Sequence, residues 1–202
     1  MNREMSLGRV VDGDSKLTVW LDRRRAETGD TATVVVDFVG RNVVWEVESI
    51  SVSLSVHYFG VDEETETAEL SHVEVVGTET CSPELRTTRT ADLPVPAWSP
   101  YTVGGVGVAV ESEIRTRDET VTERRHLSVS SEEIEAAFET VVERGFIPRG
   151  SRLVAVSDDE TPPYEQQFPL TSPGSRPTAA PDERLVCRPT PDGVDVTPPG
   201  ES

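Results

Sequence analysis

The chain has 202 residues, of which 37 are acidic and 19 are basic, so its formal net charge is −18. This length is enough for one large or two small domains with a buried core. The charge argues against nucleic acid as a partner, because that function needs a basic surface, and no run of about eighteen apolar residues is present to form a transmembrane segment.

The basic residues are almost all arginines, since Lys16 is the one lysine among the 19. A carboxylate-rich, lysine-poor surface with small apolar side chains resembles the proteins of salt-accumulating halophiles. In such proteins a high net charge maintains solubility, and molar salt screens the self-repulsion. We interpret the composition as adaptation to high salt; the alternative is an ordinary acidic protein.

The first residues, 1–5, lack the apolar segment of a signal peptide, so we expect a cytoplasmic protein. The sequence leaves open whether translation starts at Met1 or at Met5. Cys81 and Cys187 are far apart and belong to no CxxC motif, which predicts neither a metal site nor a disulfide. We expect buried thiols or surface residues at these two positions.

Three β-strands are predicted within residues 17–59. Apolar and polar residues alternate over 17–22, a turn at 27–30 leads into a second strand over 31–39, and a turn at 40–42 leads into a long third strand. The buried side of the third strand is predicted to consist of Val47, Ile50, Val52, Leu54 and Val56. These strands are typical of the opening of an antiparallel β-sandwich.

The same segment carries a more specific pattern. Leu21-Asp22, Gly29-Asp30, Gly40-x-Asn42-Val43 and Glu46-x-Glu48-x-Ile50 follow one another between the strand-like runs. This pattern resembles the N-terminal arrestin-like domain of the sporulation-control (SpoOM-like) family. The resemblance covers residues 17–168 and implies an arrestin-like, immunoglobulin-like sandwich with a regulatory role.

The next part of the chain continues the strand pattern. An acidic loop over 60–66 lacks the spacing of a calcium-binding EF-hand, and strands are predicted over 68–76 and 87–93. The Gly-Gly-x-Gly sequence at 104–107 lacks the spacing of a phosphate-binding loop and precedes a strand. We therefore predict a bulge or a sharp bend there that only glycine tolerates, followed by strands that run to Val129.

A helix is predicted over 131–144. Ser130 and Glu133 have the spacing of a capping box, and Gly145 is a typical C-terminal stop. The apolar positions recur at helical spacing and are expected to dock on the chain's own sheet: Ile134, Ala137, Phe138, Val141 and Val142. In the family that the chain resembles, such a helix opens the C-terminal half, and here a β-like segment follows at 151–157.

These patterns predict a mainly β fold. The N-terminal arrestin-like sandwich is expected over 1–129, and a helix with the strands of an incomplete second β domain over 130–170. A low-complexity, largely disordered tail is expected over 171–202, in which a Pro-Asp-Gly turn within 182–196 is typical of two short strands. Family members normally have two full sandwiches, so the chain is expected to be shortened in its second domain.

The sequence predicts no catalytic, cofactor-binding or metal-binding residue. His57, His72 and His126 are isolated, and no motif pairs them with a nucleophile. We interpret the chain as a non-enzymatic arrestin-like scaffold or adaptor that binds other proteins, with pairing at strand edges as the expected mode. A second copy of the chain is left open as a partner.

Two further interpretations belong to other classes of function. A ligand-binding β-sandwich, such as a carbohydrate-binding module, would use Trp20, Trp45 and Trp98 as stacking platforms; strand packing is the favoured role for these residues. An enzyme that uses acidic residues is the least favoured interpretation, because nothing singles out one pair of carboxylates from the 37 acidic residues.

Overall fold

The computed structural model describes residues 3–12, 15–40, 45–60, 62–81, 86–156, 162–176 and 180–200, and this part of the chain is mainly β with one α-helix. The strands before the helix are β1 (Met5–Asp12), β2 (Ser15–Leu21), β3 (Arg25–Glu27), β4 (Thr31–Val39), β5 (Trp45–Phe59), β6 (Thr65–Val76), β7 (Glu79–Cys81), β8 (Arg86–Pro94), β9 (Val108–Thr116) and β10 (Thr120–Ser130). After the helix α1 (Glu132–Glu143) come β11 (Ile147–Pro148), β12 (Arg152–Ala155), β13 (Tyr164–Thr171), β14 (Glu183–Thr190) and β15 (Gly193–Thr197).

The strands form two sheets. The smaller sheet has the order β1-β2-β4-β8, and the larger has the order β15-β14-β13-β12-β5-β9-β10-β3. In the larger sheet β6 and β7 also pair with β5, and β11 pairs with β13. Neighbouring strands are antiparallel except for the short parallel pairs β3 with β10 and β5 with β12. The predicted mainly β sandwich with one short helix is confirmed.

The main hydrophobic core lies between the two sheets. Successive side chains of a strand point to opposite faces, so the apolar residues at alternate positions of β4 and over 50–56 of β5 reach this space. A register shift between Val47 and Ser49 brings Val47 to the same side. These residues are Ala32, Val34, Val36 and Phe38 from β4 and Val47, Ile50, Val52, Leu54 and Val56 from β5, each at most 3% exposed. The buried side predicted for the long strand is therefore confirmed.

A second, smaller core lies beneath the helix. Ile134 and Val141 of α1 are buried against Phe168, Leu170, Leu185 and Cys187 of β13 and β14. The ring of Phe138 meets the ring of Phe168 edge to face, with 5.2 Å between centroids. The helix thus docks on the chain's own sheet as predicted, although Val142 at the end of the predicted face is 49% exposed.

The helix cap differs by one residue from the predicted capping box. Ser130 is the last residue of β10, and the side chain of Ser131 accepts a hydrogen bond from the backbone N–H of Ile134 at 3.5 Å. Ser131 has the extended backbone of an N-cap residue, because strand β10 leads straight into the helix. Gly145, with φ +86°, ends the helix as predicted.

The tail differs from the expected disorder at 171–202. β14 and β15 form a hairpin there around the Pro-Asp-Gly turn, and β14 pairs with β13. Leu185 and Cys187 are buried beneath the helix, and this burial offsets the conformational entropy that the segment loses on ordering. The low-complexity residues of the segment had indicated disorder. Residues 177–179 lie outside the described part. The division of the chain near residue 129 stays a prediction.

The strand pattern of the sequence does not predict β1. This strand pairs with β2 and buries Met5, Leu7 and Val10. A register shift between Ser6 and Gly8 places one extra residue in β1, so its apolar residues do not alternate regularly. A bulge of this kind hides a strand from any search for a period of two.

The glycine sequence at 104–107 forms the predicted sharp bend. Gly104 and Gly105 have φ values of +58° and +112°, which L side chains rarely adopt. The bend also touches the C-terminal half, because a Cβ atom on Gly104 would lie 2.7 Å from the Cα atom of Gly150. The backbone N–H of Ser151 donates to the Gly104 carbonyl at 3.1 Å.

Tyr164 carries a buried hydroxyl that has no hydrogen-bond partner in the described part of the chain. Its ring packs against that of Tyr58, with 5.9 Å between centroids, and burial raises the pKa of the Tyr164 hydroxyl. An unsatisfied buried polar group costs about 1–3 kcal/mol, so we expect Tyr164→Phe to raise the free energy of unfolding by about 1 kcal/mol. Urea unfolding at constant high salt measures this change.

Tyr58→Phe is the matched control for Tyr164→Phe. The Tyr58 hydroxyl donates to the carboxylate of Glu66 at 2.6 Å, so its removal is expected to lower the stability. A lower unfolding midpoint for Tyr164→Phe than for the unchanged chain would contradict our account of the buried hydroxyl.

Candidate protein-binding edge

The three histidines occupy exposed strand positions. His57 lies on β5 between the Thr67 hydroxyl, 2.9 Å from its Nδ1 atom, and the guanidinium of Arg124. His72 is on β6 and His126 is on β10. The structure therefore does not bring the histidines together. In the described part of the chain, no three His, Cys, Asp or Glu side chains are grouped as metal ligands would be.

Trp20, Trp98 and Cys187 occupy packing positions. Trp20 and Trp98 are half-buried, and the side chain of Trp45 lies outside the described part of the structure. Cys187 is a buried free thiol whose burial raises its pKa to about 12, while the side chain of Cys81 is also outside the described part.

Strand β8 is a regular and exposed edge of the smaller sheet. All nine of its residues pair with β4, from Thr31 opposite Pro94 to Val39 opposite Arg86, without a shift in register. In the described part of the chain, β4 is the one strand that pairs with β8. Most β8 side chains are exposed, whereas Leu93 is fully buried and anchors the strand to the core.

The hydrogen-bond ladder between β4 and β8 determines which backbone groups of β8 face away from β4. Asp22 donates its backbone N–H to the Thr33 carbonyl at 3.0 Å, so the backbone N–H and C=O groups of Thr33 point toward β2. In an antiparallel sheet these groups alternate in direction along a strand, so the even-numbered residues of β4 bond to odd-numbered residues of β8. The backbone N–H and C=O groups of Thr88, Thr90 and Asp92 consequently point outward.

Strand β6 lies close to β8 without pairing with it, and two contacts mark the ends of the unpaired edge. The Ser71 hydroxyl of β6 donates to the Pro94 carbonyl at 2.6 Å and covers that end of β8. Toward the other end, the Thr88 hydroxyl donates to the Asp37 carboxylate at 2.9 Å, and the same carboxylate pairs with Arg3 at 2.7 Å. The open edge is therefore held in a fixed extended conformation between the two contacts.

Two other edge strands are interrupted. β6 has two register shifts against β5, and it carries Glu66, Glu69 and Glu74. β1 has a register shift between Ser6 and Gly8. Bulges and charged side chains are the usual devices that prevent an edge from pairing with another chain. β8 has no bulge, and three of its nine residues are threonines with high β-propensity.

The family model described as SpoOM protein matches residues 4–197 of the chain. The chain belongs to the SpoOM family. Among solved structures, it resembles that of Spo0M, a sporulation control protein from Bacillus subtilis, with a TM-score of 0.76 and 21% identity. The similarity covers 92% of this chain and 78% of that one, and at this identity it shows a shared fold. No curated protein matches the sequence.

The SpoOM resemblance predicted from the strand and turn pattern is confirmed, and the family match extends beyond residue 168 to include β14 and β15. The open edge of β8 was not predicted, although a strand was expected at 87–93. The order of strands in a sheet depends on long-range pairing, which the local pattern does not contain. In the described part of this SpoOM chain, no helix has the length and apolar character needed to cross a membrane.

Proposed function

We propose that this SpoOM chain is a non-enzymatic regulatory adaptor that binds an extended segment of a partner protein along β8. The observation that carries the proposal is the regular, unbulged pairing of β8 with β4, which leaves the outer edge of β8 open. A partner strand added there would exchange backbone hydrogen bonds with Thr88, Thr90 and Asp92. The cytoplasmic location stays a prediction.

The charge on β8 supports this choice of edge. Its exposed residues include Arg86, Arg89 and Asp92, so the strand carries a net positive charge on a chain of −18. The other long edge, β6, carries four acidic or titratable side chains that face solvent, namely Glu66, Glu69, His72 and Glu74. An extended segment of a neutral or acidic partner therefore meets less repulsion at β8 than at β6.

Thr90→Pro tests the edge with a single change. The N–H that proline lacks points away from β4, so the ladder inside the sheet is retained while the outer edge is blocked. We expect a partner captured from cell lysate at molar salt to bind the unchanged chain and Thr90→Ala alike. Binding to Thr90→Pro should be at least tenfold weaker, which corresponds to a loss of about 1.4 kcal/mol.

Hydrogen exchange provides a second measurement on the same complex. The backbone amides of Thr88, Thr90 and Asp92 should exchange more slowly in the complex than in the free chain. Equal capture by Thr90→Pro and Thr90→Ala, or unchanged exchange at all three amides in a tight complex, would show that the partner binds elsewhere. A second copy of the chain is included among the partners that this experiment identifies.

A further inference from the structure

A cleft lies between α1 and the segment that precedes the glycine bend, and we call it the acidic cleft. It has a volume of about 450 Å³ and is lined by Tyr101, Glu135, Phe138, Glu139 and Val142. The other helix residues are three, four and seven positions from Glu135, so they share one face of α1. Two carboxylates therefore meet three apolar or aromatic side chains at this cleft.

The apolar side chains of the acidic cleft are only partly covered by the rest of the fold. Val142 is 49% exposed, and Tyr101 and Phe138 are half-buried. The ring of Phe138 is held by its edge-to-face contact with Phe168 in the second core. The cleft thus presents aromatic and aliphatic surface to solvent on side chains that are fixed from below.

Tyr101 is fixed in its position through its backbone. Its N–H donates to the Oε1 atom of Gln166 at 2.9 Å, and its carbonyl accepts from the Nε2 atom of the same side chain at 2.8 Å. Gln166 is 2% exposed, so these bonds are buried. The Tyr101 hydroxyl donates to the Glu135 carboxylate, and burial together with that carboxylate raises the pKa of the hydroxyl. One aromatic wall and one carboxylate of the cleft are therefore held in place.

The negative charge of the acidic cleft is not balanced by a basic lining residue in the described part of the chain. Three other described clefts each include at least one arginine in their lining. Arg144 follows the helix, but its guanidinium lies over the ring of Phe146, 5.4 Å from the centroid. Glu135 and Glu139 are four residues apart, and like charges at this spacing repel each other. A bound cation would relieve that repulsion.

We propose that the acidic cleft binds an arginine side chain in a short segment of a partner protein, with the guanidinium between Glu135 and Glu139 and against the ring of Tyr101. A guanidinium donates parallel hydrogen bonds to carboxylates and stacks on aromatic rings, and the cleft combines these two kinds of group. Both interactions act at short range, so high salt screens them less than it screens distant charge attraction.

The surroundings of the cleft favour a peptide segment over a free cation. The exposed part of Val142 offers an apolar contact that a residue next to the arginine can fill. Arginine is favoured over lysine because the lysine ammonium is more strongly hydrated and lacks the planar shape that stacks on a ring. The site lies beside α1, whereas β8 is the edge of the smaller sheet.

A peptide titration tests the proposal. The probe is a capped peptide in which one arginine is flanked by two leucines, and the control peptide has citrulline, a neutral isostere, in place of the arginine. Affinity is measured from the shifts of the amide NMR signals of α1, at a salt concentration at which the chain is folded. We expect the arginine peptide to bind about tenfold more tightly than the citrulline peptide, and more tightly than a peptide with lysine at the same position.

Paired variants locate the binding. Glu135→Gln with Glu139→Gln should weaken the arginine peptide about tenfold, because both carboxylates are lost. This pair is expected to remain folded, since it removes a like-charge repulsion within the helix. Glu69→Gln with Glu74→Gln changes the net charge equally on β6 and should leave the affinity unchanged.

Val142→Lys is a second test that keeps both carboxylates. Val142 is three residues from Glu139, a spacing at which the new ammonium pairs with that carboxylate and competes for the cleft, so the arginine peptide should bind about tenfold more weakly. Thr140→Lys is the matched control, because Thr140 is exposed on the same helix and does not line the cleft. Thr90→Pro should bind the peptide as the unchanged chain does, which separates this site from the β8 edge.

Several results would overturn the proposal. They are the absence of binding by the arginine peptide, equal binding of the citrulline or the lysine peptide, and equal weakening by the two pairs of glutamine variants or by the two lysine variants. Tighter binding of free spermidine than of the arginine peptide would also overturn it, because the ligand would then be a free polyamine and not a protein segment.

Discussion

Gly104→Ala is expected to destabilise the fold by about 2–5 kcal/mol. A left-handed backbone conformation costs a residue with a Cβ atom about 1–2 kcal/mol, and overpacking adds about 1–3 kcal/mol. Both costs apply here, because Gly104 has φ +58° and its Cβ would lie 2.7 Å from the Gly150 Cα and 2.9 Å from the Ser151 nitrogen. These neighbours are backbone atoms, so relief requires the two chain segments to move apart.

Gly29→Ala is the matched control for Gly104→Ala. Gly29 has φ +84°, yet a Cβ atom there would meet no atom within 4 Å. Its expected cost is therefore the backbone term alone, about 1–2 kcal/mol. Urea unfolding of both variants in the same salt isolates the contribution of the close approach to Gly150. Equal destabilisation by the two substitutions would show that the contact between the bend and the C-terminal half is readily displaced.

Lowering the salt concentration is expected to cause a large loss of stability. The Debye length is about 3 Å in 1 M salt and about 10 Å in 0.1 M salt, so carboxylates across the surface begin to repel one another as salt is removed. With a net charge of −18, the folded state carries this repulsion in a smaller volume than the unfolded chain does. We expect the melting temperature to fall steadily over this range.

The helix contributes like-charge pairs to this repulsion. Acidic residues occupy its first turn at Glu132, Glu133 and Glu135, and its last turn contains no basic residue. Glu139 is four residues from both Glu135 and Glu143, and each like-charge pair at this spacing costs about 0.2–0.5 kcal/mol. We therefore expect Glu139→Lys to reduce the dependence of the melting temperature on salt. Glu69→Lys on β6 changes the net charge equally outside the helix and is the control.

A melting temperature that is constant or higher at low salt would contradict the halophilic interpretation of the composition. The chain would then be an ordinary acidic protein, in which the arginine bias has another origin. Circular dichroism followed at several potassium chloride concentrations makes this comparison, and the same series with sucrose in place of salt controls for general solute effects.

Patterns with a regular period were the ones that the sequence predicted well. The alternation in β5 identified the buried residues from Val47 to Val56, and the positions of Ile134 and Val141 identified the packed face of α1. β1 was missed because of its bulge between Ser6 and Gly8. Prediction succeeded where the apolar residues follow the period of the strand or helix. It failed for β1, where an inserted residue interrupts that period.

Features that depend on long-range pairing were not predictable. The edge position of β8 follows from its pairing with β4, which is about fifty residues away in sequence. The tail gains its order because Leu185 and Cys187 meet the helix, a contact that the Ser, Pro and Gly content of the neighbouring residues conceals. Pairing likewise brings Arg152 and Arg184 to one side of β13, opposite Gln167 and Pro169.

The buried thiol of Cys187 is a natural reporter of local opening in the C-terminal half. Its thiol lies in the small core with Ile134 and Val141, where it is 1% exposed and where burial raises its pKa to about 12. We therefore expect a thiol reagent to react when the helix lifts from the sheet. In a Cys81→Ser background, the labelling rate of this one sulfur therefore reports local opening of the second core. It does so without any probe being added to the native packing.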